Sequence, residues 1–241
     1  MKKSVFLALL MLGCTPKFQP QFQSVSLLKV EAAASSQQAA DSLIAPYRQA
    51  LEGVMGEAII YNPQLLQKQQ PESALGNLLA DVVLEASRAD FGKVDIAMLN
   101  YGGIRAALPA DTLRIGHILE MLPFNNLLQL VEMDSALLHT FLTHWLEKGG
   151  TPLAGVSILA SAKQLKEVRI GDALLTSQKT YRVVMPDYIA NGGDGCGFLA
   201  SASHQQQGTR LLSEVVIAAF KAKALRQSNL NAAKDGRFII E

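Results

Sequence analysis

The stretch SALGNLLADVVLEASRADFGKVDIAMLN, residues 73–100, constrains the fold more than any other part of the chain. Leu75, Leu78, Leu79, Val82, Val83 and Ala86 recur at the spacing of one helical face, with Asn77, Asp81, Glu85 and Arg88 opposite. Ser73 is placed to cap the first turn and Gly92 to end the last. The run VDIAMLN that follows is short and nearly all apolar, which predicts a strand covered on both faces. A helix with one apolar face leading into such a strand calls for a layered domain rather than a bundle.

The rest of the chain fits that demand. Leu43, Ile44, Tyr47 and Leu51 mark a helical stripe, and GEAIIYN alternates like a strand. A short helix is predicted near 116–122, then an alternating strand over LLQLVEM. A helix over 135–148 follows, capped by Asp134 and ended by Gly149, with Leu137, Leu138, Phe141, Leu142 and Trp145 as its buried stripe. Residues 155–185 predict three or four strands with turns at Lys163 and Gly171-Asp172, and a helix near 211–226 and a strand at RFII close the chain. Helices and strands interleave irregularly, so the fold class is read as α+β, a mixed β-sheet flanked by helices. At 241 residues and 49% hydrophobic content the chain can bury a sizeable core.

The first fourteen residues, MKKSVFLALLMLGC, have the layout of an export signal: two lysines, an apolar run from Val5 to Leu12, then a small residue before Cys14. The ending L-M-L-G-C resembles the lipobox of bacterial lipoproteins, which makes Cys14 the expected lipidation site and mature N-terminus. The alternative is a plain secretory signal with a stray cysteine. A membrane span is disfavoured, because the apolar run is about half of the ~20 residues a bilayer requires. The expected organisation is a signal peptide over 1–14, a Gln/Ser/Ala-rich tether over 15–40 and a folded domain over 41–241, exported to the cell envelope and anchored to a membrane. With Cys14 lipidated, Cys196 is the remaining thiol, so no intramolecular disulfide is expected. The 22 Lys and Arg balance 21 Asp and Glu without long runs of like charge, which argues against a nucleic-acid surface.

Three loops carry residues suited to one ligand: NYGGIR at 100–105, LPFNN at 122–126 and PDYIANGGDG at 186–195. In the first, paired glycines are expected to turn the chain with positive φ and to bring backbone close to a ligand, while Arg105 offers a fork of donors for phosphate. In the second, Phe124 is an aromatic face beside the amides of Asn125 and Asn126, which both donate and accept as a base edge requires. In the third, Tyr188 is a second face, and Asp194 among Gly192, Gly193 and Gly195 suits the paired hydroxyls of a ribose. Taken singly, each has a plainer reading: a glycine turn with a surface Arg, a core Phe beside a turn, a calcium loop short of oxygen ligands. Together they describe a nucleotide site.

ESALGNLLAD, LNYGGIRAAL, LPFNN, KTYRVVMPDYIANGGDG and DGRFII, in this order and spacing, resemble the C-terminal domain of the 5′-nucleotidase and UDP-sugar hydrolase family over roughly residues 41–240. The resemblance implies that Asn100 and Arg105 contact the phosphate side of a substrate, that Phe124 stacks on the base and that Asn126 reads it. It also implies that Tyr188, usually Phe in the family, is the second stacking ring, that Asp194 binds the sugar, and that the backbone of Gly155 lines the base pocket.

Two departures qualify it. The family commonly has an Arg just before the E-x-x-x-G-N segment, where Gln70 and Pro71 stand here, so a second phosphate-contacting cation is expected to be missing and nucleosides or weakly held nucleotides become the credible ligands. In the family, hydrolysis belongs to a separate N-terminal metallophosphatase domain whose two metal ions activate water. Its Asp/His/Asn motifs are not found in these residues. His117, His139, His144 and His204 are scattered and are read as structural or surface residues. The resemblance therefore implies a recognition domain with no catalytic residue, metal or cofactor of its own. It would act with a separately encoded metallophosphatase subunit that carries divalent metal ions. A free-standing nucleoside-binding lipoprotein without catalysis is the alternative, and a degenerate interaction module the third reading.

Overall fold

The structure is a computed structural model that describes residues 34–176, 180–226 and 229–241. The expected signal peptide with Cys14, and the tether as far as residue 33, lie outside the described residues. The chain divides into two units, Met1–Ala45 and Pro46–Glu241. The described part of the first is the beginning of helix α1 (Ala34–Met55), within which Leu43, Ile44, Tyr47 and Leu51 all fall and are all exposed.

The second unit continues with β1 (Ala58–Tyr61), α2 (Ala74–Phe91), β2 (Ile96–Met98), β3 (Thr112–Arg114), α3 (Ile115–Met121), β4 (Leu127–Asp134) and α4 (Ser135–Glu147). Then come β5 (Leu153–Ala154), β6 (Val156–Ser161), β7 (Gln164–Ile170), β8 (Ala173–Leu174), β9 (Thr180–Pro186), α5 (Asp187–Ala190), β10 (His204–Leu211), α6 (Leu212–Leu225) and β11 (Phe238–Ile240). Five strands form a mixed sheet in the order β10-β4-β9-β2-β5, in which β2 and β9 are parallel and the other neighbours antiparallel. A second sheet has the order β11-β6-β7-β8, and β1 pairs with β3. This is the α+β mixed-sheet fold that the sequence predicts.

The two-sided character of VDIAMLN has a direct cause. Ala97 and Leu99 enter one apolar cluster with Leu128, Leu130 and Val184, packed against α2 and α6 through Leu75, Leu79, Val216 and Phe220. Ile96 and Met98 enter another with Val131, Met133, Val183 and Met185, shared with Leu138, Phe141 and Leu142 of α4. The five-stranded sheet is thus the middle layer, and each strand residue picks a core by its side of the pleat. The caps expected from sequence form: Ser73 Oγ accepts from Gly76 N at 2.9 Å and Asp134 Oδ1 from Leu137 N at 2.8 Å.

Three expectations fail. GEAIIYN does not alternate: Ile59 and Ile60 are both buried, at a register shift in the pairing of β1 with β3. LLQLVEM does not alternate between core and solvent: Leu128 through Val131 are all buried, because β4 lies between β10 and β9 with a core on each face. Asn77, assigned to the outer face of α2, is only 3% exposed, and its amide donates to Glu72 Oε1 at 2.6 Å and to the Ala233 carbonyl at 3.0 Å. No local pattern predicts β3, β5 or β10. The first two are three and two residues long, and β10 reads HQQQGTRL because it is an edge strand.

Candidate ligand-binding site

Strand directions bring the three loops together. β2 and β9 are parallel, so the chain leaves both at one end of the sheet, towards Asn100 and towards Tyr188. β4 is antiparallel to β9 with Leu128 opposite Pro186, so it starts at that same end, immediately after Asn126. Three adjacent strands therefore deliver NYGG, PFNN and PDYIANGGDG to one place, the end of the sheet at which α/β-type sheets place their ligands.

The first loop works differently from the sequence expectation. Tyr101–Gly103 form a turn of 3₁₀ helix in which Gly103 N donates to Asn100 O at 3.0 Å, and neither Gly102 nor Gly103 has positive φ. What glycine supplies is space. A Cβ on Gly103 would lie 3.0 Å from Asn100 Oδ1, and one on Gly102 3.4 Å from Asn100 Nδ2. The absent side chains leave room for the amide of Asn100, which is 5% exposed and donates to Asp194 Oδ2 at 3.0 Å.

In the third loop Asp194 takes the left-handed conformation, φ 52° and ψ 25°, between Gly192 and Gly195. Asp is among the residues that tolerate it best. Each of its polar groups is engaged. Asn100 donates to Oδ2, the Tyr188 hydroxyl donates to Oδ1 at 3.2 Å and accepts from Asp194 N at 3.3 Å, and His144 Nε2 is 3.0 Å from its carbonyl oxygen. Gly193 permits this arrangement, because a Cβ there would lie 2.6 Å from Cε1 of the Tyr188 ring.

Asn100, Gly102, Gly103, Phe124, Asn126, Tyr188 and Asp194 line one cleft of about 290 Å³. Phe124 is 48% and Tyr188 49% exposed, so both side chains are open to solvent at the cleft. Gly102 also borders a neighbouring cleft formed with Lys68, Gln69, Gln70 and Tyr101. Five of the seven site residues expected from sequence thus meet: Asn100, Phe124, Asn126, Tyr188 and Asp194.

Arg105 and Gly155 do not line the cleft. Arg105 is exposed, and its backbone N donates to Met121 O at 2.8 Å. Gly155, at the corner between β5 and β6, has φ 78° and packs against the carbonyl oxygen of Asp95. Lys68, upstream of Gln70, donates from Nζ to Ile104 O at 2.7 Å and to Tyr101 O at 3.1 Å, both in the first loop, and lines the neighbouring cleft. Gln70 itself is tied to the end of α4, donating to Lys148 O at 2.8 Å and to Gly150 O at 3.1 Å.

Of the histidines, His117 Nδ1 accepts from Arg114 N at 3.2 Å and His139 and His204 are exposed. Among them only His144 touches a residue of the cleft, and no local pattern could have shown it, since its partner Asp194 is 50 residues away. Cys196 is fully buried, and burial, with the neighbouring Asp194 carboxylate, pushes its thiol up to about 11, so it stays protonated and inert at neutral pH.

The sequence model of the family described as "5′-nucleotidase, C-terminal domain" matches residues 54–201. The trifunctional nucleotide phosphoesterase protein YfkN of Bacillus subtilis is 27% identical over 207 residues, which cover 77% of this chain and 14% of that protein. A 5′-nucleotidase of Vibrio vulnificus is 31% identical over 129 residues, 52% of this chain and 22% of its own length. The crystal structure of a 5′-nucleotidase precursor from Thermus thermophilus superposes with a TM-score of 0.73 at 25% identity, covering 84% of this chain and 43% of that one. The chain therefore spans less than half of each of these relatives. A match of this extent, over the segment that carries the three converging loops, means that the chain belongs to the 5′-nucleotidase C-terminal domain family.

Proposed function

We propose that this chain is the nucleoside-recognition part of a 5′-nucleotidase-type hydrolase system, holding the base between Phe124 and Tyr188, reading its edge with Asn126 and binding the ribose hydroxyls through Asp194. The observation that carries this reading is the cleft itself: two half-exposed rings, an amide and a preorganised carboxylate around about 290 Å³. Rings of this kind bind any base through its π-face, and the carboxylate accepts from a vicinal diol. In this reading Arg105 and Lys68 stand outside the base and sugar cleft and act, if a phosphate is present, at its margin. Hydrolysis falls to a metallophosphatase partner with its own divalent metal ions. The alternative, a free-standing nucleoside-binding lipoprotein, uses the same cleft and needs no partner.

Calorimetry with adenosine and uridine tests it. Both should bind, and Phe124→Ala should weaken binding by about 1–3 kcal/mol, the range for one base-aromatic stack. A folded wild type that binds neither at millimolar concentration would remove the proposal.

The chain is further proposed to be an exported lipoprotein held at a membrane through Cys14, a reading supported by the layout of residues 1–14. No helix among the described residues is long and apolar enough to cross a membrane. Cys14→Ser should move the protein from the membrane to the soluble fraction, because acyl chains contribute about 0.8 kcal/mol per buried CH₂. Unchanged membrane association on fractionation would count against the anchor.

A further inference from the structure

We infer that His144 is a positioning residue for ligand recognition: it holds the backbone of Asp194 in the left-handed turn that aims the carboxylate into the cleft. The inference rests on the reading of Asp194 as the sugar-binding group. Asp194 is the one non-glycine residue with positive φ in its loop, and flanking glycines at 192, 193 and 195 make the segment pliable in the absence of tertiary restraint. The restraints on it come from three directions. Asn100 and Tyr188 fix the side chain and the amide, but both are themselves lining residues of the cleft and face the ligand. His144 alone among these partners stands outside the lining and fixes the carbonyl, at 3.0 Å.

The chemistry of the contact settles the direction of the bond. A carbonyl oxygen only accepts, so Nε2 carries the proton and donates. The ring that presents it packs against two others, with the Trp145 ring centroid at 5.5 Å and that of Phe198 at 5.4 Å, both in edge-type contact. Its base is α4, which packs on the sheet through Leu138, Phe141 and Leu142. Gly195 completes the fit, since a Cβ there would come within 3.3 Å of His144 Cε1. A helix anchored in the core thus supplies a donor to a glycine-rich loop, a supporting contact of the kind that keeps binding groups aimed.

The proposal separates ribosides from free bases, because Asp194 serves the sugar while the rings serve the base. His144→Phe keeps an aromatic ring against Trp145 and Phe198 and removes the donor; His144→Gln keeps a donor. By calorimetry, His144→Phe should weaken uridine about three- to tenfold while uracil changes less than about twofold, and His144→Gln should recover most of the uridine loss. Asp194→Ala should show the same selectivity, and adding His144→Phe to it should cost uridine nothing further. Equal losses for uridine and uracil, in step with a fall in Tm, would make His144 merely structural and overturn the proposal. So would wild-type affinity in a folded His144→Phe. If that variant does not fold, ¹⁵N spectra of the wild-type imidazoles carry the test. The His144 ring, assigned with His144→Gln, must bear its proton on Nε2 and shift on addition of uridine but not of uracil; a neutral ring protonated on Nδ1 would overturn the proposal. A wild type that binds no riboside removes the site reading as well, whereas a wild type that binds uridine beside an unaffected His144→Phe removes this inference alone.

Discussion

Gly155→Ala is expected to lower the stability of the domain by about 3 kcal/mol, the sum of overpacking and of a side chain in the left-handed region. The affinity of the molecules that remain folded should not change. A Cβ at this position would overlap the carbonyl oxygen of Asp95 and come within 3.3 Å of Leu84 Cδ2. Neither neighbour is free to retreat. Asp95 is held twice by the backbone of Arg182, its N donating to Arg182 O at 2.9 Å and its carboxylate accepting from Arg182 N at 2.9 Å. Gly155 is held by its own carbonyl, which accepts from Gly171 N at 3.0 Å. The clash must be relieved by moving β5 or β6, and each carries core side chains, Leu153 and Val156 among them. Urea unfolding reads the first half of the expectation and nucleoside binding well below the transition reads the second. An unchanged urea midpoint with lost affinity would mean that this glycine lines the ligand pocket after all, as the family resemblance implies.

Gly155 also shows where reading a sequence stops. Its motif position is visible in the chain, but the reason for the glycine is Asp95, a neighbour made by folding. The same holds for Gly102 and Gly103. A local rule assigns paired glycines a positive φ, whereas here they vacate space for the Asn100 amide. Periodicity recovers α2, α4 and the two-sided β2, because each is long or apolar enough for local pattern to decide. It misses β3, β5 and β10, which owe their existence to partner strands. The aromatic, amide and carboxylate members of the cleft are legible because their chemistry is unusual for a loop, and the convergence of three loops follows from the directions of β2, β9 and β4. Arg105 stands out in the sequence for its charge, yet it does not line the cleft. His144 and Lys68 are not legible, since each acts by reaching a backbone carbonyl distant in sequence.

Glu72→Ala is expected to cost about 3 kcal/mol, because one buried oxygen serves three donors, and each buried polar group left unsatisfied costs about 1–3 kcal/mol less whatever entering water restores. Glu72 is 8% exposed, and its Oε1 accepts from Asn77 Nδ2 at 2.6 Å, from Asp235 N at 2.9 Å and from Gly236 N at 3.2 Å. These bonds fasten the segment before β11 to α2, and Arg237 fastens it again, donating to Asp81 Oδ1 at 2.6 Å, to Asp235 Oδ2 at 2.6 Å and to the Leu153 carbonyl at 2.9 Å. Glu72→Gln, which keeps an oxygen in place, should lose much less than Glu72→Ala in the same urea titration, and equal losses would deny the three bonds their role. Acid offers an independent reading of the same junction. The hydrogen bond from Arg237 holds the Asp235 carboxyl below the usual carboxylate range, against an opposing effect of burial. A carboxyl depressed in the folded state contributes stability that is fully present above the unfolded value of about 3.9 and is lost as pH falls through the lower folded value. Unfolding midpoints should therefore hold from neutral pH down to about 4 and drop below it, and Asp235→Asn, which cannot titrate, should be weaker at neutral pH and show a shallower drop. The segment lies beyond residues 54–201, so its removal would spare every residue of the cleft and still leave Glu72, Asn77 and Asp81 without these partners.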